Sequence, residues 1–128
     1  MTYKYFFGSD KRSVPYLNFL SKEIKDLVVV TTKPKKSGRG NKLRTNSVEN
    51  FCHKNNIIFK YFDGSEIYSD MDYGVCVSFG EIFKDVFINS NPPIFNIHLS
   101  RLPELRGPSP VETSILNGNT LFSYTMFK

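Results

Sequence analysis

Cysteine is scarce in this sequence, and the scarcity excludes several chemistries. Cys52 and Cys76 are the only two in 128 residues, with no Cys-x-x-Cys pair and no metal-ligand spacing. Both read as reduced, structural thiols among apolar neighbours, which sets the expectation of a cytoplasmic protein without a metal. Long apolar runs are missing too. None approaches the roughly 20 residues that a membrane helix requires, and the stretch at Tyr3–Phe7 is too short for a signal peptide. There is no internal repeat and no long low-complexity segment. Gly8 alone is no dinucleotide fingerprint, and Asp63, Glu66, Asp70 and Asp72 lack the spacing of a calcium loop.

Aromatic residues are abundant instead. Twelve Phe and seven Tyr in a chain that is 40% hydrophobic supply a core without disulfides, so residues 1–128 read as one domain. The net charge of +5 is unevenly spread. Lys33, Lys35, Lys36, Arg39, Lys42 and Arg44 crowd into twelve residues that hold no acid. Such a segment suits a polyanion, although a solvated basic loop is the more frequent outcome on charge alone.

Strand and helix signals alternate along the chain, which predicts an α/β fold with a mostly parallel central sheet. Tyr3–Phe7 is an aromatic strand, and Gly8-Ser9-Asp10 turns the chain. Val14, Leu17, Leu20 and Ile24 have near-helical spacing and predict a helix over Ser13–Lys25. Leu27–Thr31 is a continuous β-branched run suited to a strand buried on both faces. Pro34, Gly38 and Gly40 mark the basic segment as a loop. Asn46-Ser47-Val48-Glu49 has the form of a helix start with Asn46 as N-cap. His53 lies on that helix among polar neighbours and is expected to face solvent. Ile57–Phe62, Val75–Ser78 and Ile94–Leu99 are three further strands, whereas Asp63–Asp72 has no clear pattern. Ser109-Pro110-Val111-Glu112 predicts another capped helix, closed by Gly118, and Thr120–Phe127 a last strand.

The chemistry concentrates at Asn96-Ile97-His98. Strand side chains alternate, so Asn96 and His98 share one face and Phe95 and Ile97 the other. Near the carboxyl end of a parallel strand they stand where open α/β sheets bind ligands. Acyl transfer to an amine needs a proton acceptor, a role open to His98. It also needs a donor to the oxyanion, a role open to the Asn96 amide. From this triplet alone, two core residues satisfied by backbone groups are the more frequent outcome.

The longer stretch from Asn96 to Pro110 closely resembles the active-site segment of folate-dependent formyltransferases. Asn-x-His-x-Ser is followed there by an apolar pair, Pro, Arg-Gly and Pro. The resemblance runs over essentially the whole chain. Phe6-Phe7-Gly8-Ser9 is similar to the family's first strand and turn, and Asp72–Phe83 to the strand and loop that hold the pterin. Pro34–Leu43 resembles the Pro…Gly-Arg-Gly-x-Lys-Leu loop of methionyl-tRNA formyltransferases. Arg101 stands where the family has an apolar residue, and the Pro that usually follows the pterin loop is missing.

The resemblance implies a Rossmann-like formyltransferase domain, truncated after the last strand, in a monomeric protein of translation initiation. It implies 10-formyltetrahydrofolate as donor and initiator methionyl-tRNA as acceptor. Asn96 and His98 would be catalytic. Folate would lie against Ser78, Phe79, Gly80, Glu81, Ile82 and Phe83 and against Ser100, Arg101, Leu102 and Pro103. Lys35, Lys36, Arg39 and Lys42 would meet tRNA, with Arg39 deepest because a planar guanidinium stacks and bridges. An Asp supporting His98 is expected a few residues past Lys128, and a tRNA-binding carboxyl-terminal domain beyond it. A related formyltransferase acting on glycinamide ribonucleotide or an amino sugar nucleotide, and an inactive folate- or RNA-binding remnant, are the alternatives.

Overall fold

Six strands form one sheet in the computed structural model, which describes residues 1–128. They are β1 (Tyr3–Phe7), β2 (Leu27–Thr31), β5 (Phe59–Tyr61), β6 (Met71–Val77), β7 (Ile94–His98) and β8 (Thr125–Phe127). The order across the sheet is β5-β2-β1-β6-β7-β8. Every pairing is parallel except β7 with β8, which is antiparallel. The mostly parallel α/β sheet expected from the alternation of elements is therefore present.

Side-chain alternation sorts the core into two layers. Phe6, Val29 and Val77 point to one face, where they meet Leu17 of α1 (Val14–Glu23) and Val48 and Cys52 of α2 (Ser47–Lys54). Tyr5, Phe7, Val30 and Cys76 point to the other, against Tyr68, Met71, Phe79 and Phe87. The second layer is dominated by aromatic rings in edge-to-face contact, such as Phe62–Phe79 at 5.1 Å and Phe7–Phe79 at 5.7 Å, the arrangement that ring quadrupoles favour. Phe87 comes from α3 (Asp85–Ser90), a helix too short for periodicity to reveal.

Several expectations need correction. The basic segment is a hairpin rather than a loop: β3 (Lys35–Ser37) pairs antiparallel with β4 (Lys42–Arg44), and Gly38, Gly40 and Asn41 take the positive φ angles its turn needs. The third strand is Phe59–Tyr61, and the last shrinks to Thr125–Phe127. Ser78 leaves the strand with φ 48°. Asn46 caps α2 by accepting from the Glu49 amide at 2.8 Å, but Ser109 makes no side-chain cap on α4 (Pro110–Leu116). The backbone there, φ −128° and ψ 50°, departs from the extended geometry of an N-cap, and the Glu112 carboxylate turns to Arg12 instead. The unpatterned Asp63–Asp72 segment has a definite conformation. Asp63 Oδ1 accepts from the amides of Ser65 and Glu66, which holds its carboxyl below the usual range, and Tyr68 follows into the core.

Candidate functional site

The strand order reverses between β1 and β6. From β1 the chain winds outward to β2 and β5, then returns to β6 and winds the other way. The loops leaving the carboxyl ends of β1 and β6 therefore diverge, and a crevice opens between them. The structure has a cavity of about 610 Å³ there, within the range of small-molecule sites.

Asn96 and His98 both line this cavity. Ile94, two residues before Asn96 on the same face, packs into the aromatic layer, and Ile97 packs into the opposite one. The side chains at 96 and 98 therefore project on the α3 side, as strand alternation requires. His98 Nε2 lies 2.8 Å from the Leu105 carbonyl oxygen. A carbonyl can only accept, so Nε2 carries the hydrogen, and in the neutral ring Nδ1 is the nitrogen free to take a proton. Leu105 sits at φ 52° and is held from behind: Ser100 Oγ donates to the Glu104 carbonyl at 2.7 Å. Thr125 Oγ1 of β8 in turn donates to the Ser100 carbonyl at 2.7 Å.

The opposite wall is the segment after β6. Ser78, Phe79, Gly80, Glu81, Ile82 and Phe83 all line the cavity. Phe79 and Phe83 stack at 5.4 Å, so the wall is anchored in the aromatic core. Ser100, Arg101, Leu102 and Pro103 do not line the main cavity. Ser100 is buried in the bonds just described, Arg101 and Pro103 are exposed, and Ser100 and Arg101 border a separate pocket of about 50 Å³.

Cys76 also reaches the cavity, but burial pushes its thiol up to about 12. It stays protonated near neutrality and is a poor nucleophile. No group of three metal-ligating side chains occurs, and no helix is long and apolar enough to cross a membrane.

Residues that sequence reasoning passed over frame the site. Ser9, Asp10 and Arg12 in the turn after β1 line the cavity. Ser9 Oγ donates to the Phe79 carbonyl at 2.7 Å and Ser78 Oγ to Asp10 Oδ2 at 2.6 Å. No local pattern announces these partners, which lie 68 to 70 residues apart in sequence.

The basic hairpin borders the cavity. Lys35, Lys36, Arg39 and Lys42 are all exposed on it, and Lys35 Nζ lies 3.2 Å from Glu81 Oε1 on the cavity rim. Charge and chemistry thus meet along one edge, a small polar pair inside the crevice and a cationic arm beside it.

A profile of the formyl transferase family matches residues 15–127. Methionyl-tRNA formyltransferase of Thermosipho africanus (strain TCF52B) is 32% identical over 133 residues, which cover 96% of this chain and 43% of that protein. The Mycoplasma pneumoniae (strain ATCC 29342 / M129 / Subtype 1) enzyme of the same name is 35% identical over 132 residues, 96% of this chain and 42% of its own length. The chain spans less than half the length of the curated relatives it matches. Among solved structures, phosphoribosylglycinamide formyltransferase from Streptococcus pneumoniae TIGR4 superposes with a TM-score of 0.68 at 16% identity, over 98% of this chain and 72% of that one. A 4-N formyltransferase from Francisella tularensis gives 0.63 at 19% identity, over 97% and 49%. These two likenesses concern the fold.

Proposed function

The chain belongs to the formyl transferase family, and on that premise we propose that it forms the donor-binding and catalytic part of a methionyl-tRNA formyltransferase. The reaction is transfer of a formyl group from 10-formyltetrahydrofolate to the α-amino group of methionine on initiator tRNA. What carries the reading is that Asn96 and His98 open into the same cavity as the Ser78–Phe83 wall, while Lys35 ties a cationic hairpin to its rim.

In this mechanism the amine attacks the formyl carbon. The Asn96 amide donates to the oxygen on which negative charge develops. His98, with Nε2 committed to Leu105, takes the amine proton at Nδ1. Collapse of the tetrahedral species breaks the bond to the folate nitrogen, which leaves with the proton that His98 accepted, so the imidazole returns to its neutral form. The folate lies against the backbone and rings of Ser78–Phe83. Ser100 acts through the Leu105 carbonyl, and Arg101, Leu102 and Pro103 stand outside the main cavity as part of the loop that carries that carbonyl. Lys35, Lys36, Arg39 and Lys42 neutralise phosphates at the acceptor end of the tRNA, and Gly40, which faces open space, lets backbone approach closely. The protein works as a cytoplasmic monomer.

The test is an acceptor comparison with 10-formyltetrahydrofolate and the chain joined to the remaining carboxyl-terminal part of the Thermosipho africanus relative, of which it spans 43%. Methionyl initiator tRNA, glycinamide ribonucleotide and an amino sugar nucleotide are offered in parallel. Formylation of the tRNA alone is expected, and Asn96→Ala or His98→Ala lowers turnover at least about 100-fold. Preference for either small acceptor overturns the acceptor assignment, and near-wild-type turnover in either variant overturns the mechanism.

A further inference from the structure

The turn between β1 and α1 touches both walls of the cavity. Three short hydrogen bonds join it to the end of β6 and the Ser78–Phe83 wall. Ser13 Oγ donates to the Val77 carbonyl at 2.6 Å, Ser9 Oγ to the Phe79 carbonyl at 2.7 Å, and Asp10 Oδ2 accepts from Ser78 Oγ at 2.6 Å. They hold a backbone that Ser78 (φ 48°) and Gly80 (φ 71°) carry through the left-handed region, which is unfavourable for a side-chain-bearing residue.

Toward the other wall the same turn sends Arg12. Its guanidinium is steadied by Asp10 Oδ2 at 3.4 Å and forms an ion pair with Glu112 in the first turn of α4. Pro110 and Val111, immediately before Glu112, line the cavity, as does Arg12 itself. Only Pro110 and Ser114 of α4 are buried, so apolar packing secures this helix weakly and the ion pair is a principal tie. With carboxylates on two sides, Arg12 is charge-compensated and is not an open anion site.

From this bridging we infer that Arg12 is a positioning residue that sets the separation of the two cavity walls, and through it the fit of the formyl donor. The inference rests on the folate reading above. Asp10 is the hinge of the device, because one of its oxygens holds both Ser78 and Arg12.

The test is calorimetric binding of 5-formyltetrahydrofolate, a stable donor analogue, to the full chain. Arg12→Met and Glu112→Gln are each expected to weaken binding at least about tenfold, the usual consequence of a loosened support. Arg12→Lys recovers part of the loss. The double variant binds no more weakly than Arg12→Met, because both substitutions break one ion pair. Melting midpoints stay within about 4 °C of wild type, which separates positioning from general destabilisation. Should Arg12→Met fail to fold, Glu112→Gln alone decides, since it alters only a partly exposed side chain. Wild type that binds no folate overturns the folate reading and the inference together. Wild type that binds while the variants bind equally well, or lose affinity additively, overturns the inference alone.

Discussion

Lys35 of the basic hairpin and Glu81 of the cavity rim meet at 3.2 Å, with the lysine side chain two-thirds exposed. A pair so open to solvent contributes little to stability, about 1 kcal/mol at most, so its significance is where it holds the hairpin. Glu81→Gln is expected to leave the melting midpoint within about 4 °C of wild type and to strengthen tRNA binding by freeing Lys35. In fluorescence anisotropy with initiator tRNA, replacing Lys36, Arg39 and Lys42 by Ala flattens the dependence of log K on log salt by roughly 0.7–0.9 for each phosphate that is no longer neutralised. An unchanged slope removes the hairpin from tRNA recognition.

Ser100 is predicted to matter through His98. Its hydroxyl holds the Glu104 carbonyl beside the Leu105 carbonyl that fixes the imidazole. Ser100→Ala leaves the loop one anchor short, and a misoriented base loses about tenfold in kcat. The affinity for 5-formyltetrahydrofolate is expected to stay within about twofold, because Ser100 does not line the main cavity. Steady-state kinetics and calorimetry together check this, and a large loss of affinity with normal kcat would contradict it.

Gly8 has no room for a side chain. A Cβ there would sit 2.7 Å from Phe6 Cε1 and 2.8 Å from Ser13 Oγ, the hydroxyl that bonds the Val77 carbonyl. Gly8→Ala forces one of these groups aside and is expected to cost about 1–3 kcal/mol by overpacking. Urea denaturation measures the loss, and an unchanged midpoint shows that the turn accommodates the methyl group.

Alkaline pH should destabilise the fold through its buried acids. Burial raises Cys76 to about 12 and Cys52 to about 11, and it raises Tyr5 and Tyr68 as well. Each group has its folded value above its unfolded value, so the unfolded chain loses its proton first. Stability contributed by the neutral thiol is complete below the unfolded value of 9.0 and declines as pH climbs toward the folded value of about 12. Each such group adds a slope approaching about 1.4 kcal/mol per pH unit. Urea midpoints taken from pH 8 to 11 should fall, and fall less steeply in Cys76→Ala. A flat profile refutes the assignment. The same burial predicts slow alkylation of both thiols at pH 8 until urea is added.

The elements that sequence alone determined are those whose information is local. The β-branched run at Leu27–Thr31, the alternation that puts Asn96 and His98 on one face, the Asn46 cap and the Gly118 stop each depend on side chains within a few residues of one another. Tertiary structure decided everything that depends on groups distant in the chain. Ser78 reads as the end of a strand because nothing beside it shows that Ser9, Asp10 and Ser13 will draw its backbone into a left-handed turn. Ser109 reads as a helix cap because nothing beside it shows that its backbone will leave the extended region or that Glu112 will turn to Arg12, about a hundred residues earlier. The tautomer of His98 follows from a carbonyl in a loop whose shape Ser100 and Thr125 set. Periodicity and capping reflect the backbone's own repeat, which any window of sequence contains. The conformation of a loop at the carboxyl edge of a parallel sheet is set by whichever side chains the sheet order brings against it, and the sheet order is a property of the whole chain.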